Sequence, residues 1–294
     1  MSAVLNTNTA SLYASKNLQT AQSKMATSVE RLSSGLRINR AKDDAAGLGI
    51  AQSLTSQINA ANQGIRNLND GVSMVQAAEG AIAAAVEMAQ RILTLATQGA
   101  NGSQSQAGRD AIKSEMNQLL TAITSISSRT TFSGISLLNE TAAATATLIT
   151  LQSSNGSTDT IALASNAFRK IGLGAIANLN GTDTGGGATA LSNKIADSAA
   201  QTVMASTASA ATDYITTLTT QRSLLGAYQN QIEFTINNIT ELSSNLSAAR
   251  SSVQDTDYAS ETATLTKGQI LQQAATAMLA QANQMPNVIL SLLK

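Results

Sequence analysis

Carboxylates are the densest chemically active groups in this sequence, at Asp43-Asp44 and at Asp255-Thr256-Asp257. Such groups could bind a metal ion or act as the acid and base of a glycosidase. A calcium loop of the EF-hand type needs ligands at alternate positions, a central Gly and a terminal Glu, and neither group fits. A sugar-cleaving cleft is normally lined by aromatic residues, which are only 2% of this chain. Helix capping and surface charge explain these carboxylates better.

Composition excludes most other catalytic centres. The 294 residues include no His and no Cys, which rules out a Ser-His-Asp triad, a zinc-protease helix and a thiol nucleophile. Gly47-Leu48-Gly49 and Gly172-Leu173-Gly174 resemble parts of a phosphate-binding loop, but neither is completed by a third Gly or by Gly-Lys-Ser/Thr. We therefore expect a protein that is not an enzyme and that binds no metal and no cofactor.

The charge balance and hydropathy narrow the choice of partners. The 18 basic and 18 acidic residues give a net charge of zero. This argues against binding to nucleic acid, because proteins that bind nucleic acid carry clustered positive charge. No unbroken apolar run approaches the roughly 18 to 20 residues that span a bilayer, so we expect no membrane insertion. The first 18 residues lack the basic and apolar regions of a cleaved signal peptide. Charged residues are only 12% of the chain. Such a low fraction fits a protein whose surface is mostly covered by other copies of the same chain, because a covered surface needs little charge for solubility.

The elements that would position any site are mainly helices, and the clearest pattern lies in the C-terminal third. Apolar residues recur there at intervals of seven, at Leu218, Leu225, Ile232, Ile239, Leu246 and Val253. This spacing predicts a coiled-coil helix over residues 214–253. A second apolar stripe covers residues 271–292 and contains Pro286. Because proline lacks an N–H group, we expect it to remove one hydrogen bond and to bend or interrupt that helix.

Matching stripes in the N-terminal part predict three further helices, over residues 18–36, 75–96 and 112–126. Helices at the two ends of the chain would pair most economically as antiparallel partners. The centre differs, because two short β-rich runs, Leu148–Gln152 and Thr160–Leu163, flank Asn155-Gly156. This pattern predicts a hairpin. The expected fold class is therefore mainly α, a long antiparallel coiled-coil bundle of paired terminal segments with a small β-hairpin in the middle.

Ordered motifs at both ends resemble those of the bacterial flagellins. Residues 30–39 read ERLSSGLRIN, and residues 41–47 read AKDDAAG. Asn67–Gly71 and Phe132–Gly134 fit the same family, as do the C-terminal runs 247–251, 255–259, 269–274, 280–284 and 290–294. The resemblance covers about residues 1–140 and 195–294. It implies a short flagellin without large variable outer domains.

The resemblance also implies a division of the chain into domains. Residues 1–42 with 254–294 would form an inner terminal helical domain, and residues 43–140 with 195–253 a coiled-coil domain. Residues 141–194 would supply the hairpin and a Gly-rich connection in place of the variable region. We further expect residues 1–42 and 254–294 to be largely disordered in the monomer, because Ala-rich stripes bury too little apolar area to order two long segments alone.

The function that the resemblance implies is that of the structural subunit of the extracellular filament for swimming motility. Export would follow the flagellar type III pathway without a cleaved signal peptide. The expected partners are other copies of the chain, a secretion chaperone, and the filament cap and hook-junction proteins. Two alternatives stay open: a hook-filament junction protein of the same helical class, and a soluble helical enzyme.

Specific residues follow from these expectations. The stripes and the resemblance together place in the filament core Leu5, Leu12, Leu18, Met25, Leu32, Leu271, Met278, Met285, Ile289 and Leu292. By resemblance, a vertebrate Toll-like receptor would contact Arg91, Leu95 and Glu115. By resemblance too, cytosolic inflammasome sensors would read Leu290, Leu292 and Leu293.

Overall fold

The computed structural model describes residues 8–138, 147–154, 156, 158–168, 171 and 200–292, and their side chains except at 147, 148, 200 and 285–292. Its helices are α1 (Thr9–Ser34), α2 (Ala45–Gly99), α3 (Gln106–Arg129), α4 (Ala200–Gln254) and α5 (Tyr258–Leu292). Its strands are β1 (Thr131–Phe132), β2 (Ile135–Ser136), β3 (Thr147–Gln152) and β4 (Thr160–Ala164), and a 3-10 turn covers Ser165–Phe168. The predicted fold class is confirmed: mainly α, with a small hairpin.

The chain forms two compact units, residues 1–58 with 244–294 and residues 59–243. The second unit has a continuous apolar core among α2, α3, α4 and the hairpin β3–β4. Two heptad series build much of it. On α2 the buried series is Ala61, Leu68, Val75, Ile82, Ala89 and Ala96, and on α4 it is Met204, Ala211, Leu218, Leu225, Ile232 and Ile239. Both series consist of aliphatic side chains and Ala, with one Met, so the helices pack closely without aromatics at these positions.

Most of the predicted coiled-coil seam lies inside this core. Four of its six residues are fully buried, namely Leu218, Leu225, Ile232 and Ile239, whereas Leu246 and Val253 are half-buried. The helix itself begins at Ala200 rather than at residue 214. The extra turns continue the heptad with Met204, Thr207 and Ala211, whose small and polar members hid the pattern in the sequence.

The central hairpin is confirmed. β3 and β4 pair antiparallel, with Leu151 opposite Ile161 and Gln152 opposite Thr160. Of the predicted turn, Gly156 is described and Asn155 lies outside the described residues. A second, shorter hairpin joins β1 to β2. Its turn places Ser133 at φ 50° and Gly134 at φ 82°, and two successive positive φ values define the type I′ turn that suits a two-residue hairpin.

The hairpin β3–β4 packs against α2 where two glycines one heptad apart leave room for it. A Cβ atom on Gly64 would overlap the backbone carbonyl of Ser153, and one on Gly71 would overlap the side chain of Leu151. Between them, the amide Nδ2 of Asn67 donates to the carbonyl oxygen of Gln152 at 3.1 Å. The sequence motif at residues 67–71 therefore holds the hairpin in place.

Helix α2 is long and apolar enough to pass a composition test for a membrane span, with an 18-residue window of mean hydropathy 1.2. Its heptad series nevertheless faces the core, where Leu68, Val75 and Ile82 have no exposed surface. A core helix passes the same test, because both environments select for apolar side chains.

The unit formed by residues 1–58 and 244–294 contains α1, α5 and the adjoining ends of α2 and α4. Helix α1 ends at Ser34 and is capped by Gly35, whose φ of 75° is the left-handed conformation that glycine adopts most easily. The following backbone pairs with the segment before α5. The N–H of Arg37 donates to the carbonyl of Gln254 at 2.7 Å, and the N–H of Thr256 donates to that of Gly35 at 2.9 Å.

Asp44 and Asp257 cap helix starts, as predicted, and Asp43 holds the loop that precedes α2. Oδ1 of Asp44 accepts from the N–H of Gly47 at 2.8 Å at the start of α2, and Oδ2 of Asp43 accepts from the N–H of Arg40 at 3.0 Å. Oδ1 of Asp257 accepts from the N–H of Ala259 at 2.9 Å at the start of α5. Each carboxylate satisfies an amide that the first turn or loop would otherwise leave unpaired.

One part of the prediction about α5, interruption of the helix at Pro286, is wrong. The helix continues past Pro286 to Leu292 instead of being interrupted there. The physical reason lies on α1. A residue other than proline at position 286 would donate its N–H to the carbonyl of Ala282, and that carbonyl instead accepts from Nδ2 of Asn8 at 2.8 Å. The lost hydrogen bond is thereby replaced, and the helix continues.

Candidate subunit-packing surface

The antiparallel pair of α1 and α5 is held by a seam of small side chains. The buried positions are Ala14, Ala21 and Ser28 on α1, and Gly268, Ala275 and Ala282 on α5. In each helix these residues are seven apart, which is the period of a coiled-coil contact. A Cβ on Gly268 would stand 3.7 Å from Cβ of Met25, which is ordinary contact distance. Small residues therefore let the two helices approach closely.

Polar contacts at the two ends of the seam fix its register. Near the start of α1, the hydroxyl of Ser11 donates to Oδ1 of Asn283 at 3.1 Å. At the far end, Nη1 of Arg31 lies 3.6 Å from Oε2 of Glu261, whose side chain is 13% exposed. Because these contacts lie at both ends of the seam, sliding α1 by one heptad along α5 would break all of them.

The predicted core-packing residues fall into two groups in this unit. Leu18, Met25 and Leu32 are half-buried along the seam between α1 and α5. Leu12, Leu271 and Met278 point away from it and are 63%, 46% and 64% exposed. Leu5 lies outside the described residues, as do the side chains of Met285, Ile289 and Leu292.

A groove of about 620 Å³ runs between α1 and α5 beside this seam. Its walls include Tyr13, Ala14, Leu271, Ala275 and Met278. Tyr13 is 70% exposed, although it is one of only four tyrosines in the chain. The same groove also has Asn17, Thr20 and Lys24 in its lining. A largely apolar groove with some polar residues and large side chains in its walls is the form expected of a protein-binding surface.

The residues expected to contact an innate receptor lie in the other unit. Nη2 of Arg91 and Oε1 of Glu115 form an ion pair at 2.7 Å between α2 and α3, and both side chains are about half exposed. Leu95, in contrast, is 2% exposed and belongs to the apolar core. The structure therefore brings Arg91 and Glu115 together on the surface and leaves Leu95 beneath it.

Comparison with known proteins gives a consistent result. Residues 5–143 match the bacterial flagellin N-terminal helical region, and residues 208–293 match the bacterial flagellin C-terminal helical region. The flagellin of Bacillus subtilis is 37% identical over 99% of both chains. The flagellar filament 30.7 kDa core protein of Treponema maltophilum is 36% identical over 99% of both chains. This chain belongs to the bacterial flagellin family.

A solved structure assigned as a flagellar hook-associated protein from Vibrio parahaemolyticus shares the fold of this flagellin. The TM-score is 0.57 with 14% sequence identity, over 72% of this chain and 100% of the other. At this identity the likeness concerns the fold alone, so it does not favour the junction-protein alternative.

The sequence did not indicate two of the exposed apolar residues of the terminal helices of this flagellin, of which Tyr13 lines the groove. Tyr13 and Ile270 are exposed large apolar residues of α1 and α5, yet neither belongs to a predicted stripe. Their signal was local. Tyr13 follows Leu12 and Ile270 precedes Leu271, so each helix has two adjacent large apolar residues. One amphipathic stripe cannot bury both members of such a pair, because neighbours on a helix lie about 100° apart.

Within the described residues, no group of three or more Asp and Glu side chains is placed to hold a metal ion.

Proposed function

We propose that this chain is the structural subunit of an extracellular flagellar filament, and that the groove between α1 and α5 packs against other copies. The observation that carries this proposal is the division of apolar residues in the terminal pair. Small residues close the intramolecular seam, while Leu12, Leu271 and Met278 remain outside it. The family membership supports the same conclusion, because relatives of this chain are flagellins and a filament core protein.

The energetics favour neighbouring copies as the occupant of the groove. Burying apolar surface contributes about 25 cal/mol per Å², and the exposed side chains on α1 and α5 offer such surface on two helices at once. A contact between different faces of identical subunits repeats without limit unless the ring closes, and it therefore builds a helical polymer. The low charge of the chain limits the electrostatic repulsion between packed copies.

The domain division belongs to this proposal. Residues 1–42 with 254–294 are assigned to an inner terminal domain, residues 43–140 with 195–253 to a coiled-coil domain, and residues 141–194 to a reduced variable region. Both boundaries of the inner domain fall within the unit of residues 1–58 and 244–294. The proposal includes ordering of the inner domain on assembly, because its seam of Ala, Ser and Gly buries little apolar area by itself.

Seeded sedimentation tests the assembly function. Purified chain is mixed with short filament fragments, and the pelleted fraction is measured over a concentration series. We expect long fibres from the native chain and a raised critical concentration for Leu271→Ser, which places a hydroxyl on the groove wall. Gln269→Ser is the matched control, because it changes an exposed polar residue two positions away on α5. Equal critical concentrations for the two variants would contradict the groove assignment.

The same assay separates the alternatives. A soluble helical enzyme would stay in the supernatant with or without seeds. A hook-filament junction protein would be a trace component of sheared filaments, whereas the proposed subunit makes up their bulk. The absence of enzymatic activity is part of the proposal, since flagellins are structural proteins.

Export and the accessory partners rest on the family alone. We assign export to the flagellar type III pathway without cleavage of a signal peptide. A secretion chaperone would hold the C-terminal helix beforehand, and cap and hook-junction proteins would meet the subunit at the ends of the filament. Two measurements test this route. The mass of the secreted chain shows whether it was cleaved, and a strain with a blocked flagellar export gate shows whether secretion needs that pathway. Cleavage, or continued secretion from that strain, would contradict it.

Recognition by the vertebrate Toll-like receptor for flagellin is assigned to Arg91 and Glu115, with Leu95 supporting them from the core. Arg91→Ala should weaken activation of a receptor reporter, because it removes a half-exposed cation and frees its partner. Arg222→Ala is the matched control, since Arg222 forms a comparable exposed ion pair with Glu79 at 3.4 Å. Equal activation by both variants would contradict the assignment.

The inflammasome segment is assigned to Leu290, Leu292 and Leu293. Replacing the three leucines with Ala should reduce activation of the cytosolic sensor and leave activation of the surface receptor unchanged. Loss of both responses together would instead indicate a general folding defect.

A further inference from the structure

We propose that Asn101 is a site of spontaneous covalent modification. Its side-chain amide cyclises onto the main-chain nitrogen of Gly102, releases ammonia, and is then hydrolysed by water to aspartate and isoaspartate. The site lies in the turn between α2 and α3, within the unit of residues 59–243. The modification therefore needs neither the terminal helices nor assembly, and water is its only co-reactant.

The residue that follows Asn101 leaves the ring closure unhindered. Within the part of the chain that the structure describes, Asn101 is the one asparagine that precedes a glycine, and glycine has no Cβ to obstruct the approach of its nitrogen to Cγ of the asparagine. Both residues are exposed to water. No described group accepts a hydrogen bond from the N–H of Gly102, so no such bond holds the proton that this nitrogen must lose.

Two donors on the adjoining carbonyl make that proton easier to remove. The carbonyl oxygen of Asn101 belongs to the same peptide group as the nitrogen of Gly102. It accepts from the N–H of Gln104 at 3.2 Å and from Nη2 of Arg109 at 3.4 Å. When the nitrogen loses its proton, amide resonance spreads the negative charge onto this oxygen, where the N–H and the guanidinium stabilise it.

A third donor polarises the group that is attacked. Oδ1 of Asn101 accepts from the N–H of Ser103 at 3.2 Å. As the nitrogen of Gly102 bonds to Cγ, negative charge moves onto Oδ1, and the N–H of Ser103 stabilises it as an oxyanion hole does. Arg109 is held beside the turn by a further contact, from its Nε to the carbonyl oxygen of Gly99 at 3.2 Å. The turn therefore has donors on both oxygens that become negative.

The atoms balance without an oxidant or a reductant. Hydroxide removes the N–H proton of Gly102 as water, the nitrogen bonds to Cγ of Asn101, and the bond from Cγ to Nδ2 breaks. Nδ2 takes a proton from water and leaves as ammonia, which restores the hydroxide and leaves a cyclic imide. Water then adds to either imide carbonyl, and the ring C–N bond at that carbonyl breaks. The net reaction consumes a water molecule and releases an ammonia molecule.

The products change the charge of the turn and its main chain. Each replaces a neutral amide with a carboxylate, so the chain, whose formal net charge is zero, becomes more negative. Aspartate keeps an acceptor for the N–H of Ser103. Isoaspartate moves a methylene group from the side chain into the main chain, so Arg109 can no longer reach the carbonyls of Gly99 and Asn101 together. We expect faster hydrogen exchange in the turn of the isoaspartate form.

Asp70-Gly71 provides an internal control. Aspartate before glycine forms the same cyclic imide by loss of water. Gly71 lies inside α2, however, where its N–H belongs to the hydrogen-bond ladder of the helix and its nitrogen cannot approach the carboxyl carbon. We therefore expect Asp70 to stay unmodified in the folded chain.

The test uses purified full-length monomer in a mildly alkaline buffer. A parallel sample is unfolded in guanidinium chloride, and both are incubated until the unfolded sample has converted half of its Asn101. Peptide mass mapping quantifies both products at Asp70 and at every asparagine, including Asn155 and Asn180, which also precede glycine. We expect the native chain to convert at least half of its Asn101. Conversion of less than half would overturn the proposal, and modification of Asp70 in the native sample would show that the reaction proceeds through unfolded chain.

A substitution of the glycine tests the cyclic route. Gly102→Ala should lose most of the product, because the added Cβ hinders ring closure. This Cβ would come closest to Nε2 of Gln201, the end of a flexible side chain, so the turn can accommodate it. Circular dichroism checks that the variant keeps its helices. Undiminished conversion in Gly102→Ala would overturn the cyclic route.

A pair of arginine variants tests the contribution of the turn. Arg109→Gln should slow conversion of Asn101 by about three- to tenfold, because one donor to the developing charge is lost. Arg129→Gln is the matched control, since Arg129 is an exposed arginine of the same helix whose Nε donates to the carbonyl of Ser125 at 3.4 Å. Equal rates for these two variants would overturn the role of Arg109.

Discussion

Nδ2 of Asn8 donates a hydrogen bond of 2.8 Å to the carbonyl oxygen of Ala282, joining the start of α1 to the last part of α5. Oδ1 of the same side chain accepts from the N–H of Ser11 at 3.1 Å, so Asn8 also caps α1. Pro286 follows Ala282 by four residues and cannot donate to it. One asparagine therefore caps the start of α1 and also binds a carbonyl within α5 that is 274 residues away in the chain.

This relationship predicts that the effect of replacing Asn8 depends on Pro286. Serine caps helices about as well as asparagine, so Asn8→Ser keeps the cap and removes the amide donor. The variant should lower the stability of the α1–α5 pair by about 1–2 kcal/mol, because the Ala282 carbonyl loses its partner. Pro286→Ala restores an N–H for that carbonyl, so Asn8→Ser should cost less in that background.

The measurement is the thermal dissociation temperature of filaments assembled from each of four chains: the native chain, Asn8→Ser, Pro286→Ala and the double variant. Equal shifts caused by Asn8→Ser with and without Pro286 would show that the two residues are not coupled.

Gly64 should tolerate no side chain, in contrast to another glycine of the same helix. Gly64→Ala forces its Cβ against the carbonyl of Ser153, so the hairpin must move, at a cost of about 1–3 kcal/mol. Gly80→Ala is the control, because no atom lies within 4 Å of the added Cβ and alanine favours the helix by up to about 1 kcal/mol. Denaturant unfolding should give changes of opposite sign, and destabilisation by both would contradict the packing described.

Tyr214 should make the unit of residues 59–243 sensitive to alkali. Burial raises the pKa of its phenol well above the usual 10, and its hydroxyl donates to the carbonyl of Ile171. The folded state therefore holds the proton more tightly than the unfolded state, so this stabilisation is complete below pH 10 and decreases as pH rises further. The decrease should be about 1.4 kcal/mol per pH unit until the folded pKa is reached.

Tyr214→Phe should lower stability at neutral pH by about 1 kcal/mol and reduce this alkaline slope. Tyr13→Phe is the control, because Tyr13 is largely exposed. Denaturant unfolding from pH 8 to 12 measures both effects, and identical slopes for the two variants would exclude Tyr214 as the source.

Removal of either terminal segment should abolish seeded assembly. A chain of residues 43–294 lacks α1, and a chain of residues 1–253 lacks α5, so neither can form the groove. Circular dichroism should still show a helical core built on α2, α3 and α4. Fibres of normal appearance from either truncated chain, seen by electron microscopy, would contradict the role of the terminal pair.

The sequence predicted the elements better than it predicted which faces they bury. The heptad of Leu218, Leu225, Ile232 and Ile239 is recognisable because one large residue recurs at every seventh position. In the terminal helices the predicted stripes combined large residues with Ala21, Ala275 and Ala282, and the structure buries these small residues together with Ala14, Ser28 and Gly268, which the stripes did not include. Hydrophobicity alone does not distinguish a stripe that packs within the chain from one left for a partner.

Two other features were missed for physical reasons. The strands β1 and β2 have two residues each, which is too short to show an alternating pattern, so only the turn at Ser133-Gly134 gave a signal. The continuity of α5 through Pro286 depends on an amide from the other end of the chain. No local reading of residues 258–292 could have revealed it.

The central claim is that neighbouring copies cover the apolar side chains left outside the α1–α5 seam. A near-atomic electron cryo-microscopy reconstruction of the assembled filament tests it most directly. We predict that Tyr13, Leu271 and Met278 contact apolar side chains of adjacent subunits and lose most of their solvent exposure. A reconstruction in which these three side chains face water would contradict the account.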